Sequence, residues 1–232
     1  CQMDPDICIL QEVGSIKNLE LLKKLIYNIY KVKYNIYVPN NNSNSNIQEI
    51  GILSKFTINT DIVSFGKNIR FKINYKNKDM IIYGVHLKNK RGGVIKTEKQ
   101  RITELKTLLS DAVQFKNEQV LILGDFNDNY GSKPLKLLVD NQYINLLFTK
   151  KYIGSFYDKY TYWLDKNKNE VLDNGEVIDL DHMFVNYNLY KRVSRIFIDH
   201  IIPQSVKGID KTLEVYKRRR LSDHWALIAI IQ

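Results

Sequence analysis

The residues best suited to chemistry follow an apolar run, residues 121–124, near the middle of the chain. Asp125 and Asn127 come directly after this run and are two residues apart, so they point to the same side of an extended segment. The carboxylate offers a base or a metal ligand, and the amide offers both a donor and an acceptor. The pair suits a site that holds a water molecule or a phosphate oxygen, although a polar turn after a strand has the same composition.

Four other predicted strand ends carry residues that bind metal ions or move protons. They are Glu12, His86, Asp181 and the adjacent pair Asp223 and His224. One such residue is unremarkable, but five strand ends with the same pattern favour a single site. Carboxylates, an amide and histidines without cysteine ligands favour Mg²⁺ or Mn²⁺ over structural zinc.

Hydrophobic spacing predicts the elements that position these residues. Helices are predicted over 19–30, 97–115 and 133–139. Strands are predicted over 6–13, 33–38, 51–56, 69–75, 80–87, 121–125, 160–163, 177–185, 193–198 and up to 231. Strands outnumber helices and do not alternate with them strictly. This order predicts packed sheets flanked by helices, and not a doubly wound parallel sheet.

The second helix is predicted to begin with Thr97 as its N-cap. Its predicted buried face consists of Ile102, Leu105, Leu108, Leu109 and Val113.

Composition limits the classes of protein that the chain can represent. Its 232 residues, 44% of them hydrophobic, predict one domain over 1–232 and a monomer. The net charge of +10 favours an anionic partner, which could be nucleic acid, an anionic membrane surface or a phosphorylated small molecule. A general lysine and asparagine bias would give the same charge. Two cysteines are too few for a disulfide framework, no apolar run is long enough to span a membrane, and the compartment is left open.

Six motifs in this order resemble the endonuclease/exonuclease/phosphatase superfamily. They are Leu10-Gln11-Glu12, Gly51-Ile52-Leu53-Ser54, Val85-His86-Leu87, Gly124-Asp125-Phe126-Asn127, Leu180-Asp181-His182 and Ser222-Asp223-His224. The resemblance covers nearly the whole chain and implies in-line hydrolysis of a phosphate ester with Mg²⁺ or Mn²⁺. The fold it implies is a four-layered α/β/β/α sandwich of two mixed sheets flanked by helices, with the active site at the top. The superfamily begins with an asparagine-bearing strand and a helix that have no counterpart before Asp6. We therefore expect the N-terminal strand and helix to be missing from this sequence.

The resemblance also implies a role for each matching residue. Asp125 would orient or deprotonate the attacking water, and Asn127 would hold that water and a phosphate oxygen. His86 would contact the phosphate and protonate the leaving oxygen, with Glu49 as its supporting carboxylate.

The same resemblance assigns the second histidine and the metal ligands. His224, oriented by Asp181, would activate the water or stabilise the charge on the phosphate. Glu12 would bind the divalent cation, and Asp223 would help to position the cation or its waters.

The motifs indicate the substrate less clearly than the chemistry. Val85-His86-Leu87 departs from the abasic-site branch and fits the deoxyribonuclease, sphingomyelinase and phosphatase branches. Lys88, Arg91 and Arg101 follow it and could bind substrate phosphates, or could be ordinary surface residues. We predict a nuclease that acts on DNA in preference to RNA. A sphingomyelinase-like or inositol-phosphate hydrolase and a non-catalytic binding module on the same fold are the alternatives.

Residues 165–176 nearly match a calcium-binding loop. The predicted ligands of this structural Ca²⁺ are Asp165, Asn167, Asn169, Asp173 and Glu176. The loop has Glu170 where a glycine is expected and lacks clear flanking helices, so a polar hairpin explains it as well.

Overall fold

The structure is a computed structural model that describes residues 4–39, 48–58, 62–155, 158–164, 166, 175–199 and 224–232. The described strands are β1 (Ile7–Gly14), β2 (Asn35–Tyr37), β3 (Gln48–Ser54), β4 (Val63–Phe65), β5 (Asn68–Tyr75), β6 (Lys78–His86), β7 (Gln119–Asp125), β8 (Ile144–Asn145), β9 (Tyr162–Trp163), β10 (Val177–Ile178), β11 (Asp181–Val185), β12 (Val193–Asp199) and β13 (Ala226–Ile231). The described helices are α1 (Ile16–Tyr30), α2 (Val94–Ala112), α3 (Lys133–Asp140) and the short α4 (Tyr187–Tyr190).

Alternating side chains build the layers of the molecule. In β1, Ile7 and Ile9 pack into a central core between the sheets, while Cys8 and Leu10 pack outward with Leu19 of α1. The six-stranded sheet behaves in the same way on its side of the core. Its inner residues meet the central core, and its outer residues pack against α2 and α3. The predicted α/β/β/α order of layers is therefore confirmed.

The sheets differ in how their strands pair. The six-stranded sheet has the order β4-β5-β6-β7-β11-β8, in which only β6 and β7 are parallel, so it is mixed as predicted. The sheet β1-β3-β2 and the pair β12-β13 are antiparallel throughout their described residues. The β12-β13 pair packs its apolar residues against the same central core.

Helix α2 begins earlier than predicted, and its buried face contains Leu105, Leu108 and Leu109 as predicted but differs at its two ends. It starts at Val94 after Gly93, and the Thr97 hydroxyl donates to the Gly93 carbonyl from inside the first turn, so Thr97 is not the N-cap. Arg101 is buried in the face that also holds Leu105, whereas Val113 lies past the helix end and is exposed.

The predicted strand over 177–185 is interrupted at Asp179 and Leu180. The Asp179 carboxylate accepts hydrogen bonds from the Asn129 amide (2.9 Å) and the Tyr130 backbone (2.9 Å), and the Leu180 carbonyl accepts one from the Phe126 backbone. These bonds tie the break to the loop that follows β7. In the described part of the chain, no helix has the length and apolar character needed to span a membrane.

Candidate active site

Sheet register brings three of the predicted residues into one row. His86 at the end of β6 is the register partner of Asp125 at the end of β7, and Asp181 at the start of β11 is the partner of Asp125 on the other side. Because β6 and β7 are parallel and β11 is antiparallel to β7, all three side chains lie at the same edge of the sheet. The topology therefore explains how three distant segments form one site.

Close backbone approach at Gly124 shapes this edge. Gly124 has a φ of +136°, and a Cβ atom there would lie 2.1 Å from the Val85 carbonyl oxygen. A side chain at this position would force β7 away from β6. The backbone of His86 is held on its other side by the buried Asn68, whose Oδ1 accepts from the His86 N–H at 2.8 Å. No motif in the sequence pointed to Asn68.

Asp125 is a buried carboxylate in an unfavourable electrostatic environment. Burial, the neighbouring charge of Asp181 and, more weakly, that of Glu12 raise the pKa of Asp125 from 3.8 to about 7, against the opposing effect of His224. Its Oδ1 accepts from the Asn127 backbone at 2.7 Å and its Oδ2 from the Asn127 amide at 2.8 Å. A carboxyl group with a pKa near neutrality can exchange protons at physiological pH.

The Asn127 amide is oriented by two acceptors. Its Nδ2 donates to Asp125 Oδ2 and to the Leu87 carbonyl at 3.0 Å, and the flipped amide would place its oxygen against two other oxygens. Both donors are thus used within the protein, and Oδ1 is the atom left for a ligand. Contact with a phosphate oxygen, which needs a donor, does not fit this orientation. An acceptor role toward water or a cation does.

His224 and Asp181 form the tightest charged contact of the site. Nδ1 of His224 lies 2.7 Å from Asp181 Oδ2, and the Tyr162 ring packs edge-on against the imidazole with centroids 4.9 Å apart. The buried Thr161 hydroxyl accepts from the backbone N–H groups of Leu180 (3.0 Å) and Asp181 (2.8 Å). The Asp181–His224 pair is therefore oriented by Thr161, just before β9, and by Tyr162 within it, and nothing in the sequence pattern indicated the role of Thr161.

Glu12 approaches the row from the other sheet. It lies at an irregularity near the end of β1 with a φ of 55°, and its side chain is 79% exposed. Its Oε1 lies 3.8 Å from His86 Nε2, and that nitrogen is also 3.8 Å from Asp125 Oδ2. Asp223, the second predicted metal ligand, and the side chain of Glu49 lie outside the described part of the chain.

The donor chemistry of this edge fits a hard divalent cation. Glu12 and Asp181 are close enough to Asp125 to raise its pKa, and a cation would relieve that repulsion. Within the described residues, no three His, Cys, Asp or Glu side chains are already grouped for a metal ion. The assignment of Glu12 and Asp223 as ligands stays a prediction.

His182, next to Asp181, is a core residue. It is fully buried, and Asn145 Nδ2 donates to its Nδ1 at 3.1 Å while its Nε2 lies 3.0 Å from the Asp128 carbonyl. Burial lowers the pKa of His182, so it is a neutral imidazole with the proton on Nε2.

Of the three predicted substrate-binding residues, two lie in the loop after β6. Arg91 is exposed, and Lys88 is half-buried with its Nζ 3.2 Å from Asn89 Oδ1. Arg101 does not fit the predicted role, because its side chain is only 1% exposed. Its Nε contacts Asp128 Oδ2 at 3.0 Å and its Nη1 donates to the Lys88 carbonyl at 2.9 Å. Arg101 therefore links the loop after β6 to the loop after β7 from a buried position.

Only one of the predicted calcium ligands is described. Glu176 is buried, its Oε2 accepts from Trp163 Nε1 at 3.1 Å, and its Oε1 accepts from the Lys166 backbone at 2.8 Å. The carboxylate thus ties β9 to β10. Asp165, Asn167, Asn169 and Asp173 lie outside the described residues, and the calcium site stays a prediction.

A family model described as "Endonuclease/Exonuclease/phosphatase family" matches residues 2–224. The chain belongs to this family. Its members are usually phosphoric ester hydrolases, and the match confirms the resemblance seen in the six motifs. A search of curated protein sequences gives no match.

Solved structures of low sequence identity share the fold. A family protein from Leptotrichia buccalis C-1013-b is 14% identical with a TM-score of 0.65, covering 100% of this chain and 89% of that one. Beta toxin 275–280 from Staphylococcus aureus is 20% identical with a TM-score of 0.64, covering 98% and 87%. TDP2 from Caenorhabditis elegans is 18% identical with a TM-score of 0.65, covering 98% of this chain and 64% of that one. At these identities the likeness shows the fold alone.

Proposed function

We propose that the protein is a divalent-metal-dependent phosphodiesterase and that its substrate is nucleic acid, DNA in preference to RNA. The observation that carries this proposal is the pairing of His224 with Asp181 at 2.7 Å beside Asp125, whose pKa is raised to about 7. An oriented histidine and a carboxyl group that titrates near neutrality are the groups that acid/base hydrolysis needs.

In the proposed reaction, water attacks the phosphorus in line with the leaving oxygen and no covalent intermediate forms. Asp125, as the carboxylate, accepts a proton from the water, while Asn127 Oδ1 accepts the hydrogen bond that holds it. A divalent cation, held by Glu12 and Asp223, would neutralise charge that develops on the phosphate.

The two histidines act on the phosphate from different sides of the row. Because Asp181 binds Nδ1 of His224, Nε2 is the nitrogen that meets the substrate and stabilises the charge on the phosphate. His86 contacts the phosphate through Nε2, the nitrogen that lies 3.8 Å from both Glu12 and Asp125, and protonates the leaving oxygen.

The net charge of +10 favours a polyanionic substrate over a lipid headgroup or a free inositol phosphate. The family includes enzymes of several substrate classes, so the substrate is tested directly with supercoiled plasmid, phospholipid and inositol phosphates.

The experiment measures hydrolysis of bis-p-nitrophenyl phosphate and nicking of supercoiled plasmid with Mg²⁺, with Mn²⁺ and with EDTA. We expect EDTA to abolish both activities, and His224→Ala and Asp125→Ala each to lower kcat by about 100-fold or more. Lys78→Met, at the opposite end of β6, is the control and leaves both unchanged. Full activity in both active-site variants, with folding intact, would refute the proposal.

The other outcomes separate the alternatives. Hydrolysis of the generic diester without nicking would indicate a phospholipid or inositol substrate. A folded protein that hydrolyses none of these substrates would indicate a binding module.

A further inference from the structure

Lys90 lies beside the candidate site and has no role in the proposal above. The loop after β6 runs alongside the loop after β7, because Asn127 Nδ2 donates to the Leu87 carbonyl at 3.0 Å. Further along the same two loops, Lys90 Nζ lies 3.0 Å from Asp128 Oδ1 and 3.2 Å from Asn129 Oδ1. The side chain of Lys90 nevertheless stays 41% exposed.

Of the two cations bound to Asp128, Lys90 is the one that reaches the solvent, because Arg101 is only 1% exposed. Asp128 is a buried carboxylate, and its Oδ2 is already paired with the buried Arg101 at 3.0 Å. One guanidinium balances one carboxylate, so Arg101, Asp128 and Lys90 together carry one positive charge. The next carboxylate, Asp179, accepts hydrogen bonds from the Asn129 amide and the Tyr130 backbone, both at 2.9 Å. A surface lysine is usually mobile, but two oxygen acceptors hold this one in place.

The remaining hydrogen-bonding capacity of Lys90 points to an anion. An ammonium group has three N–H donors, and two of them are directed at Asp128 and Asn129. Asp128 and Asn129 follow Asn127 by one and two residues, so their Cα atoms lie within roughly 8 Å of that of Asn127. A third donor, fixed next to the residue that holds the attacking water, suits a second phosphate group.

We propose that Lys90 binds a phosphate of the substrate adjacent to the phosphate that is cleaved, which makes it a subsite for a polyphosphodiester. This inference rests on the proposed function, because a substrate with a single phosphate cannot occupy the subsite. Arg101 and Asp128 are the residues that position Lys90.

The test compares Lys90→Met with Lys78→Met, an exposed lysine at the start of the strand that ends in His86. Eight residue steps separate the ends of β6, so Lys78 lies about 26 Å from the site. Each variant is assayed on a short DNA duplex at several salt concentrations and on bis-p-nitrophenyl phosphate, which has one phosphate. Urea unfolding checks that each variant is folded.

For Lys90→Met we expect kcat/KM on the duplex to fall about ten-fold, mainly through KM. The slope of log(kcat/KM) against log salt should become less steep by about 0.9, which is the loss of one phosphate contact. Hydrolysis of the single-phosphate substrate should fall by less than about two-fold, and Lys78→Met should match the wild type on both substrates.

Three results would overturn the inference. A proportional loss on both substrates would make Lys90 a structural residue of the loop, and an unchanged salt slope would show that it does not contact phosphate. Hydrolysis of the small diester by a wild-type protein that does not cleave the duplex would exclude the polyphosphodiester. A wild-type protein inactive on both substrates would instead refute the proposed function.

Discussion

Two aspartates three residues apart, Asp125 at the end of β7 and Asp128 in the loop that follows, are buried to a similar extent, with 7% and 5% of their surfaces exposed. Asp128 meets two cations, Arg101 at 3.0 Å and Lys90 at 3.0 Å. Asp125 meets the carboxylate of Asp181 and more distantly that of Glu12, and its pKa is raised to about 7. Burial alone therefore does not distinguish a structural carboxylate from one suited to proton transfer, whereas the charges around each carboxylate do.

The Asp128 region (Asp128 with Arg101 and Lys90) and the Asp125 region (Asp125 with Asp181 and Glu12) lie next to each other and differ in how well their charges are balanced. The Asp128 region joins α2 to both loops at the site, because Arg101 also donates to the Lys88 carbonyl. This balanced pair holds the loops in place. Asp125 instead lies near the carboxylate of Asp181 and near two histidines, His86 at 3.8 Å and His224, so its charge is only partly balanced. This stabilises the fold less but leaves a group that can bind a cation and exchange a proton.

The largest expected loss of stability comes from removing the ion pair between Arg101 and the buried Asp128. Arg101→Met leaves the buried Asp128 with Lys90 as its remaining cation partner, and we expect the free energy of unfolding to fall by about 3 kcal/mol. Urea denaturation measures this value. Arg91→Met, in an exposed loop, is the control and should change stability by less than about 0.5 kcal/mol. If the two variants were equally stable, the Arg101–Asp128 pair would not support the loops.

A smaller loss of stability is expected from a substitution that removes support for Asp181 and His224 but leaves every charge in place. Thr161→Val removes the oxygen that accepts from the N–H groups of Leu180 and Asp181. We expect a loss of about 2 kcal/mol in stability and a fall of about ten-fold in kcat, because the Asp181–His224 pair loses its support. Thr161→Ser keeps the hydroxyl and should recover most of both. Equal losses in the valine and serine variants would contradict this role.

Much of this arrangement was predictable from residue patterns. Apolar runs that end in polar residues located His86, Asp125 and Asp181, and the six motifs identified the family. The hydrophobic spacing also predicted packed sheets flanked by helices, since alternation in β1 and β6 follows the pleat of the strands.

The residues that were misassigned or missed are those whose role depends on partners from distant segments. Arg101 was predicted to bind substrate because it is charged, yet its spacing with Leu105 and Leu108 places it on the buried face of α2. That periodicity was the signal that could have located it. Asn68 and Thr161 act through hydrogen bonds to the backbone of other strands, and no local pattern encodes such bonds.

The most direct test of the account is the pH dependence of stability in Asp125→Asn and Asp128→Asn, measured by urea unfolding with EDTA at pH 5 and pH 8.5. In the folded protein Asp125 keeps its proton up to a pKa of about 7, whereas in the unfolded chain it releases the proton near pH 4. At this residue the folded state therefore binds more protons between these values, so the contribution of Asp125 to the stability of the wild type falls as the pH rises through this range.

Asp125→Asn removes this titration. Its stability relative to the wild type should rise between pH 5 and pH 8.5, by up to about 3 kcal/mol. Asp128→Asn leaves Arg101 buried without a carboxylate, so it should be less stable than the wild type at both pH values, by about 3 kcal/mol. The account would be contradicted if Asp125→Asn showed the same pH dependence as the wild type, or if the two asparagine variants were equally destabilised at pH 8.5.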